Sequence, residues 1–281
     1  MRFELENWRW RAGREPSQFR AQSSKATDYR TGIFMNASSQ LNKRPTVNPW
    51  ERFAEIDPYL YIFTEMKRTD PKAFWESGER VVHAELLPLL HTHSLRRLVG
   101  LELGSGVGRL AFPLARHFQR VVGVDIASGM VHRGRSIAHD NGVHNVSFIQ
   151  ISGPEDFLER AGDFVGSCDL IYSLLVFQHI PKLSMIEDYL HVIRVLLHQR
   201  GVAYLQFDTR PQGVGYRLKT WLPDFLLPRF WRRGIRRIRR SSVDIEACIR
   251  RAGMEILGEL SSQTAYHRYI LRAPRPSEDS K

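Results

Sequence analysis

Leu98-Val-Gly-Leu-Glu-Leu-Gly-Ser-Gly-Val-Gly-Arg-Leu110 is an apolar strand that runs into a glycine-rich turn and opens a helix, with a carboxylate, Glu102, two residues before the first glycine. Gly104, Gly106 and Gly108 stand where the chain must turn sharply. Glycine suits such positions because it accepts positive φ and lets the backbone pass close to a ligand. The next apolar run, Arg120-Val-Val-Gly-Val-Asp125, ends in an acid 21 residues after Gly104. A second parallel strand at that distance brings a carboxylate to the two hydroxyls of a ribose. The coupled features predict a doubly wound α/β domain that holds a nucleoside-bearing cofactor.

A glycine turn of this kind also serves dinucleotides, whose fingerprint is G-x-G-x-x-G. Here the last of those positions is Arg109 rather than glycine. Glu102 argues in the same direction, since an anion beside a pyrophosphate costs Coulomb energy. A cofactor with an α-ammonium and a sulfonium favours such a carboxylate, a description that fits S-adenosylmethionine. A nicotinamide-dependent dehydrogenase is therefore the last of the readings.

With these residues the chain resembles the class I S-adenosylmethionine-dependent methyltransferases. Glu102-Leu-Gly-Ser-Gly-Val-Gly108 is similar to their first motif and Val124-Asp125 to the acidic end of their second strand. Asp169-Leu-Ile-Tyr-Ser173, followed by Val176-Phe-Gln-His-Ile180, resembles their fourth strand and the turn after it. Asn48-Pro-Trp-Glu-Arg52 and Asp57-Pro-Tyr-Leu-Tyr-Ile-Phe-Thr64 are similar to a segment that caps the cofactor in a bacterial subgroup. The resemblance runs from about Trp50 to Arg272. It departs from the commoner pattern after the third strand, where Ile151-Ser-Gly-Pro154 replaces Gly-Asp.

The chain has 281 residues, 42% of them hydrophobic, enough for one full core with an appended lid. Cys168 and Cys248 lack C-x-x-C spacing and metal-ligand neighbours, so they read as buried inert thiols and no metal is expected. No apolar run reaches the roughly 18 residues of a membrane span, and no apolar signal core opens the chain. The expected location is cytoplasmic, with peripheral attachment to a membrane surface as an extension. The net charge of +11 is local: residues 1–45 hold nine Lys or Arg against four acids, and residues 208–240 hold ten against two. What remains is nearly neutral, so any anionic partner must be met by those segments.

Residues 1–45 are polar and aperiodic and read as a disordered leader, with Met35 an alternative start because family-like sequence begins only at Asn48. Residues 46–95 read as a helical cap with an apolar stripe of Phe74, Val81, Val82, Leu86 and Leu90. Residues 96–272 form the cofactor-binding domain and 273–281 a tail. The expected elements are strands 98–103, 120–125, 146–151, 168–173, 202–207, 255–260 and 266–272, with helices 108–118, 128–141, 154–161, 183–199 and 242–252. Ser242 is the expected cap of the last helix and Gly253 its stop.

Ligands in an open α/β sheet bind beyond the carboxyl ends of the strands. The resemblance implies that the backbone of Gly104, Ser105, Gly106 and Gly108 cradles the methionine and ribose, Asp125 takes the ribose hydroxyls and Ile126 lies against adenine. It further implies that Ser152 and Gly153 meet the adenine edge and that Ser173 and Leu174 approach the ammonium through backbone carbonyls. Glu102 is an expected ammonium partner, and Arg109 pairs with the cofactor carboxylate or lies exposed. His179 is the candidate general base, with an unperturbed pKa near operating pH, and packing is its plainer role. Asp208 and Arg210 border the expected pocket, and either could orient a substrate. Tyr59 and Tyr61 either close over the cofactor or belong to the core. No Asn-Pro-Pro-Tyr or Asp-Pro-Pro-Tyr follows the fourth strand, which disfavours methylation of exocyclic base amines.

Residues 215–240 interleave Trp221, Leu222, Phe225, Leu226, Leu227, Phe230 and Trp231 with Arg229, Arg232, Arg233, Arg236, Arg237, Arg239 and Arg240. Pro223 and Pro228 rule out one uninterrupted helix. This basic lid suits a membrane interface or lipid-linked substrate, a nucleic acid, or a lid on its own domain with a solvated face. The expected function is methyl transfer to a small or lipid-linked metabolite. An RNA or other nucleic-acid methyltransferase and a non-catalytic cofactor-binding interaction protein are the alternatives.

Overall fold

Strands that are apolar along most of their length belong in the middle of a parallel sheet covered on both faces, and Val99–Leu103 (β1) and Arg120–Asp125 (β2) are strands of this kind. In the computed structural model they pair in parallel, Leu101 opposite Val122, and both side chains are fully buried. The structure describes residues 49–62, 70–227 and 236–274. The expected leader, most of the tail, and Arg229, Phe230, Trp231, Arg232 and Arg233 of the lid lie outside them. All described residues fall in the unit Leu41–Lys281, and the other unit, Met1–Gln40, lies outside the described residues.

The sheet continues with β3 (Val146–Gln150), β4 (Cys168–Ser173), β5 (Leu197–Phe207), β6 (Glu255–Leu260) and β7 (His267–Arg272). Its seven strands run in the order β3-β2-β1-β4-β5-β7-β6. The first five are parallel, and β7 is antiparallel to both β5 and β6. The order reverses between β1 and β4, which opens a crevice at their carboxyl ends. Asp169 secures this centre: its carboxylate accepts from the Leu98 and Val99 amides at 2.8 and 3.1 Å and from Arg96 Nε at 2.8 Å. One face of the sheet is covered by Leu183–Leu196 (α8) and Ser242–Arg251 (α10), whose Ile186, Leu190, Ile193, Ile245 and Ile249 join Ile171, Leu205 and Tyr269 in the core.

Pro49–Ile56 (α1), Pro58–Ile62 (α2), Pro71–Val81 (α3), a π-helical turn at Val82–Leu86 and Leu87–Thr92 (α4) precede the sheet. Asp70 starts α3 by accepting the Ala73 amide, with Pro71 in the first turn. Phe74, Val82, Leu86 and Leu90 of the expected stripe are buried, while Val81 stays partly exposed. The π turn projects Glu85 onto the sheet, where Tyr204 Oη donates to it at 2.9 Å and Arg268 Nη2 at 2.6 Å.

Three expectations need correction. The helix after the glycine turn is only Ala111–Leu114 (α5), because Gly108 has φ +94° and the chain before it runs through turns. β5 begins at Leu197 rather than 202: α8 ends at Leu196, and the register of β4 on β5 shifts between Cys168 and Leu170, with Gly201 passing so close to the Cys168 carbonyl that a Cβ has no room. Ser241, not Ser242, caps α10, its Oγ accepting from the Val243 amide at 3.1 Å; Gly253, at φ +68°, follows the helix end. Both cysteines are buried, and burial pushes the Cys168 thiol well above its ordinary pKa.

Candidate active site

The carboxyl ends of β1 to β4 open onto a cleft of about 710 Å³. At its floor the glycine turn is folded back on β2: Gly104 and Ser105 donate their amides to the Val124 carbonyl at 2.7 and 3.0 Å. Gly104 and Gly106 have φ of +75° and +54°. A Cβ on Gly104 would run into Val176, and one on Gly106 would stand 2.5 Å from Ile62 Cδ1 of α2. The turn is pressed between the segment after β4 and the N-terminal helices, and its backbone alone can face a ligand.

Asp125, at the end of β2, is almost fully buried and accepts from the Gly106 amide at 2.7 Å and the Ala127 amide at 2.9 Å, one on each oxygen. Burial raises its pKa, and the amides of Ala127, Gly106 and Ile126 oppose the rise. A carboxylate has about four acceptor positions, more than these amides fill, so Asp125 can still accept from a donor in the cleft. Glu102 on β1 is also buried, with Tyr172 Oη donating to it at 3.2 Å. Burial pushes its pKa up to about 8, against the opposing pull of Arg109 and Tyr172. A cation in the cleft would restore its charge. Arg109 is buried rather than exposed, and donates to Ser77 Oγ of α3 at 3.1 Å.

The N-terminal helices reach the cleft directly. Trp50 and Ile62 line it, and Glu51 caps Ser128–Asp140 (α6) by accepting from the Ser128 and Gly129 amides at 2.9 and 3.1 Å. Tyr59 stays in the apolar cluster of these helices, edge-on to Phe74 at 4.8 Å, and is not among the lining residues. The side chain of Tyr61 lies outside the described residues. After β4, Leu175 has φ +66°, which costs a branched residue about 1–3 kcal/mol and recurs at ligand sites. The Gln178 side-chain amide donates to its carbonyl at 3.3 Å.

A family model described as a methyltransferase domain matches residues 101–203, the segment that holds β1 to β4, the glycine turn and most of this cleft. This segment is a methyltransferase domain of the S-adenosylmethionine-dependent kind. This methyltransferase is 36% identical over 83 residues to the 23S rRNA (uracil(1939)-C(5))-methyltransferase RlmD of Pseudomonas entomophila, a match over 27% of this chain and 18% of the relative. It spans less than a quarter of the length of the curated relatives it matches. Among solved structures it is similar to an S-adenosylmethionine-dependent methyltransferase from Clostridium acetobutylicum, with TM-score 0.56 and 16% identity over 80% of this chain and 99% of that one. It is also similar to magnesium protoporphyrin IX methyltransferase from Synechocystis PCC 6803, with TM-score 0.56 and 20% identity over 81% and 98%. These last two likenesses are of fold.

The residues present fit S-adenosylmethionine. The cradle excludes any side chain at Gly104 and Gly106, Asp125 keeps acceptor capacity toward the cleft for a hydroxyl, and Glu102 matches a cation. Glu102, Gly104, Ser105, Gly106, Arg109, Asp125, Ile126, Ser152, Gly153, Leu174 and His179 all line the cleft of this methyltransferase. Three other candidates do not. Gly108 lies beneath the turn, where a Cβ would meet Phe112 and Phe148. Ser173 is wholly buried and donates its hydroxyl to the Leu103 carbonyl at 2.8 Å, bracing β4 on β1. Asp208 is buried behind Arg210, accepting from its Nε at 3.0 Å and Nη2 at 2.6 Å, so it positions that arginine and does not reach the cleft. Among the described residues no cluster of metal ligands occurs.

The lid supplies lining residues that spacing did not single out. Val214–Trp221 (α9) brings Tyr216 to the cleft, and Arg236, Arg237 and Arg239 line it with Arg210. Tyr216 Oη accepts from the Arg239 amide at 2.9 Å, and the Arg239 guanidinium lies 4.7 Å over the same ring. Gln178, Met185 and Tyr189 also line the cleft.

Proposed function

We propose that this methyltransferase transfers a methyl group from S-adenosylmethionine to a small or lipid-linked metabolite that carries an anionic group. The observation that carries this reading is the division of charge along the cleft. Its lining carboxylates, Glu102 on β1, Asp125 at the end of β2 and Glu155 in the helix after β3, share their half with one arginine, Arg109, whereas the other four lining arginines, Arg210, Arg236, Arg237 and Arg239, come from the segments after β5. A cationic donor suits the first set and an anionic acceptor the second.

When bound, the cofactor supplies a methyl group activated on a sulfonium. Asp125 would accept from its ribose hydroxyls, Glu102 and the Leu174 carbonyl would meet its ammonium, and Ile126, Ser152 and Gly153 would border its adenine. Trp50 and Ile62 would exclude water from above. The arginines orient the acceptor; proximity of this kind can lower a barrier by about 7–11 kcal/mol. His179 lines the cleft edge-on to Trp50, with ring centroids 5.2 Å apart, and is the group we assign to take the acceptor proton, for about 10²- to 10⁴-fold.

A second reading, methylation of RNA, is favoured by the RlmD resemblance, which covers 27% of this chain. The test incubates the protein and tritium-labelled S-adenosylmethionine separately with bacterial lipid extract, deproteinised small-molecule extract and total RNA. The proposal expects label in the lipid or small-molecule fraction, in products retained on an anion exchanger. Label released from the RNA by nuclease would favour the second reading, and label in none would leave a cofactor-binding protein without transfer.

A further inference from the structure

Half of the strongly exposed large apolar side chains among the described residues fall within thirteen positions of the lid. Val214 and Trp221 are each 84% exposed and Phe225 is 79% exposed, with Leu218 and Leu226 beside them. Single exposed apolar residues are ordinary, whereas a contiguous group marks a contact surface. At about 100° per residue, Val214, Leu218 and Trp221 lie within about 60° of one another on α9, and Tyr216 lies on the opposite side. The helix is therefore two-faced: Tyr216 lines the cleft, and the apolar stripe looks out to solvent.

Charge decides what covers the stripe. Arg217 and Lys219 are exposed on the same helix, and residues 208–240 hold ten Lys or Arg against two acids. A second copy of this chain would bring like charge against like charge. An anionic bilayer surface answers both features, taking apolar side chains below its headgroups and basic ones among them.

We propose that α9 and the turn after it dock this protein on an anionic membrane surface, with Val214, Leu218, Trp221, Phe225 and Leu226 entering the headgroup layer and Arg217 and Lys219 meeting lipid phosphates. Docking of this kind does not depend on which acceptor is methylated.

The test is co-sedimentation of the full-length protein with vesicles of phosphatidylcholine alone or mixed with phosphatidylglycerol. Wild type is expected to sediment with the mixed vesicles in a salt-sensitive manner and much less with phosphatidylcholine. Leu218→Gln combined with Trp221→Gln, and separately Arg217→Glu combined with Lys219→Glu, are each expected to weaken binding by about tenfold or more. Unchanged S-adenosylhomocysteine affinity and thermal midpoint show that the variants are folded. No binding by wild type, or equal binding by the folded Leu218/Trp221 variant, overturns the proposal. So does a solution dimer that this variant dissociates, or RNA retention that depends on the same apolar pair.

Discussion

The Gly106 amide donates to Asp125 Oδ2 at 2.7 Å, so the acid that ends β2 also holds the glycine turn in its cofactor-binding shape. One side chain both braces the turn and faces the cleft. Ile62 presses on Gly106 from the other side. Gly106→Ala must therefore strain a left-handed backbone and displace the N-terminal helices. The expected result is a loss of S-adenosylhomocysteine affinity of at least about tenfold with a stability loss of about 1 kcal/mol or more, read by calorimetry and urea unfolding.

Glu102 gives the protein a pH dependence of known sign. Its pKa is about 8 in the fold against an ordinary 4.5. Between those values the native state holds a proton that the unfolded chain releases, so stability falls as pH rises through the window. Glu102→Gln should flatten that slope and weaken cofactor binding. Because a bound cation favours the carboxylate, S-adenosylhomocysteine binding at neutral pH should release a proton, seen as different heats in buffers of different ionisation enthalpy.

Glu51 behaves in the opposite sense. Burial works against its charge, but hydrogen bonds from Ser128 and Gly129 win and hold its pKa below 4.5. Its contribution is present above that value and lost as pH falls through the lowered pKa. Glu51→Gln should cost about 1 kcal/mol at neutral pH, the usual worth of a helix cap. The gap to wild type should close in acid, measured by urea unfolding across the titration.

The Asp208–Arg210 pair predicts an asymmetry. Asp208 is buried, while the Arg210 side chain is 39% exposed. Arg210→Ala strands a buried carboxylate and should cost about 3 kcal/mol. Asp208→Ala leaves an arginine that water can reach, and should cost less than half as much. Equal losses in urea unfolding would refute the placement of Asp208 behind Arg210.

The central strands were legible because burial on both faces leaves nearly continuous apolar runs: β2 and β4 begin and end where their sequences predict, as does β6, an exposed edge strand bounded by turns. The region around β5 was not, because Leu197-His-Gln-Arg-Gly201 is polar and enters the sheet through a register shift that no periodicity encodes. The glycine spacing pointed to Gly104 and Gly106, which line the cleft, yet it could not separate them from Gly108, which makes room for Phe112 and Phe148. Asp208 and Ser173 stand at strand ends, but the Asp208 side chain turns toward Arg210, and Ser173, expected to offer its backbone carbonyl, is wholly buried and does not line the cleft. Trp50, Ile62, Tyr216 and Tyr189 reach the cleft through tertiary packing. Of these, Trp50 and Ile62 carried a local signal, their places in Asn48-Pro-Trp-Glu-Arg52 and Asp57-Pro-Tyr-Leu-Tyr-Ile-Phe-Thr64.

The most direct test of the central claim is calorimetric titration of S-adenosylhomocysteine into the wild-type protein and into Asp125→Ala, with a nicotinamide dinucleotide as control. Losing two hydrogen bonds to a charged group, at about 1.5–3 kcal/mol each, should weaken binding by about 100-fold or more. The account predicts micromolar binding to wild type, none measurable to the folded variant, and no dinucleotide binding. Wild-type protein that binds the dinucleotide instead, or a variant that binds S-adenosylhomocysteine as wild type does, would contradict it.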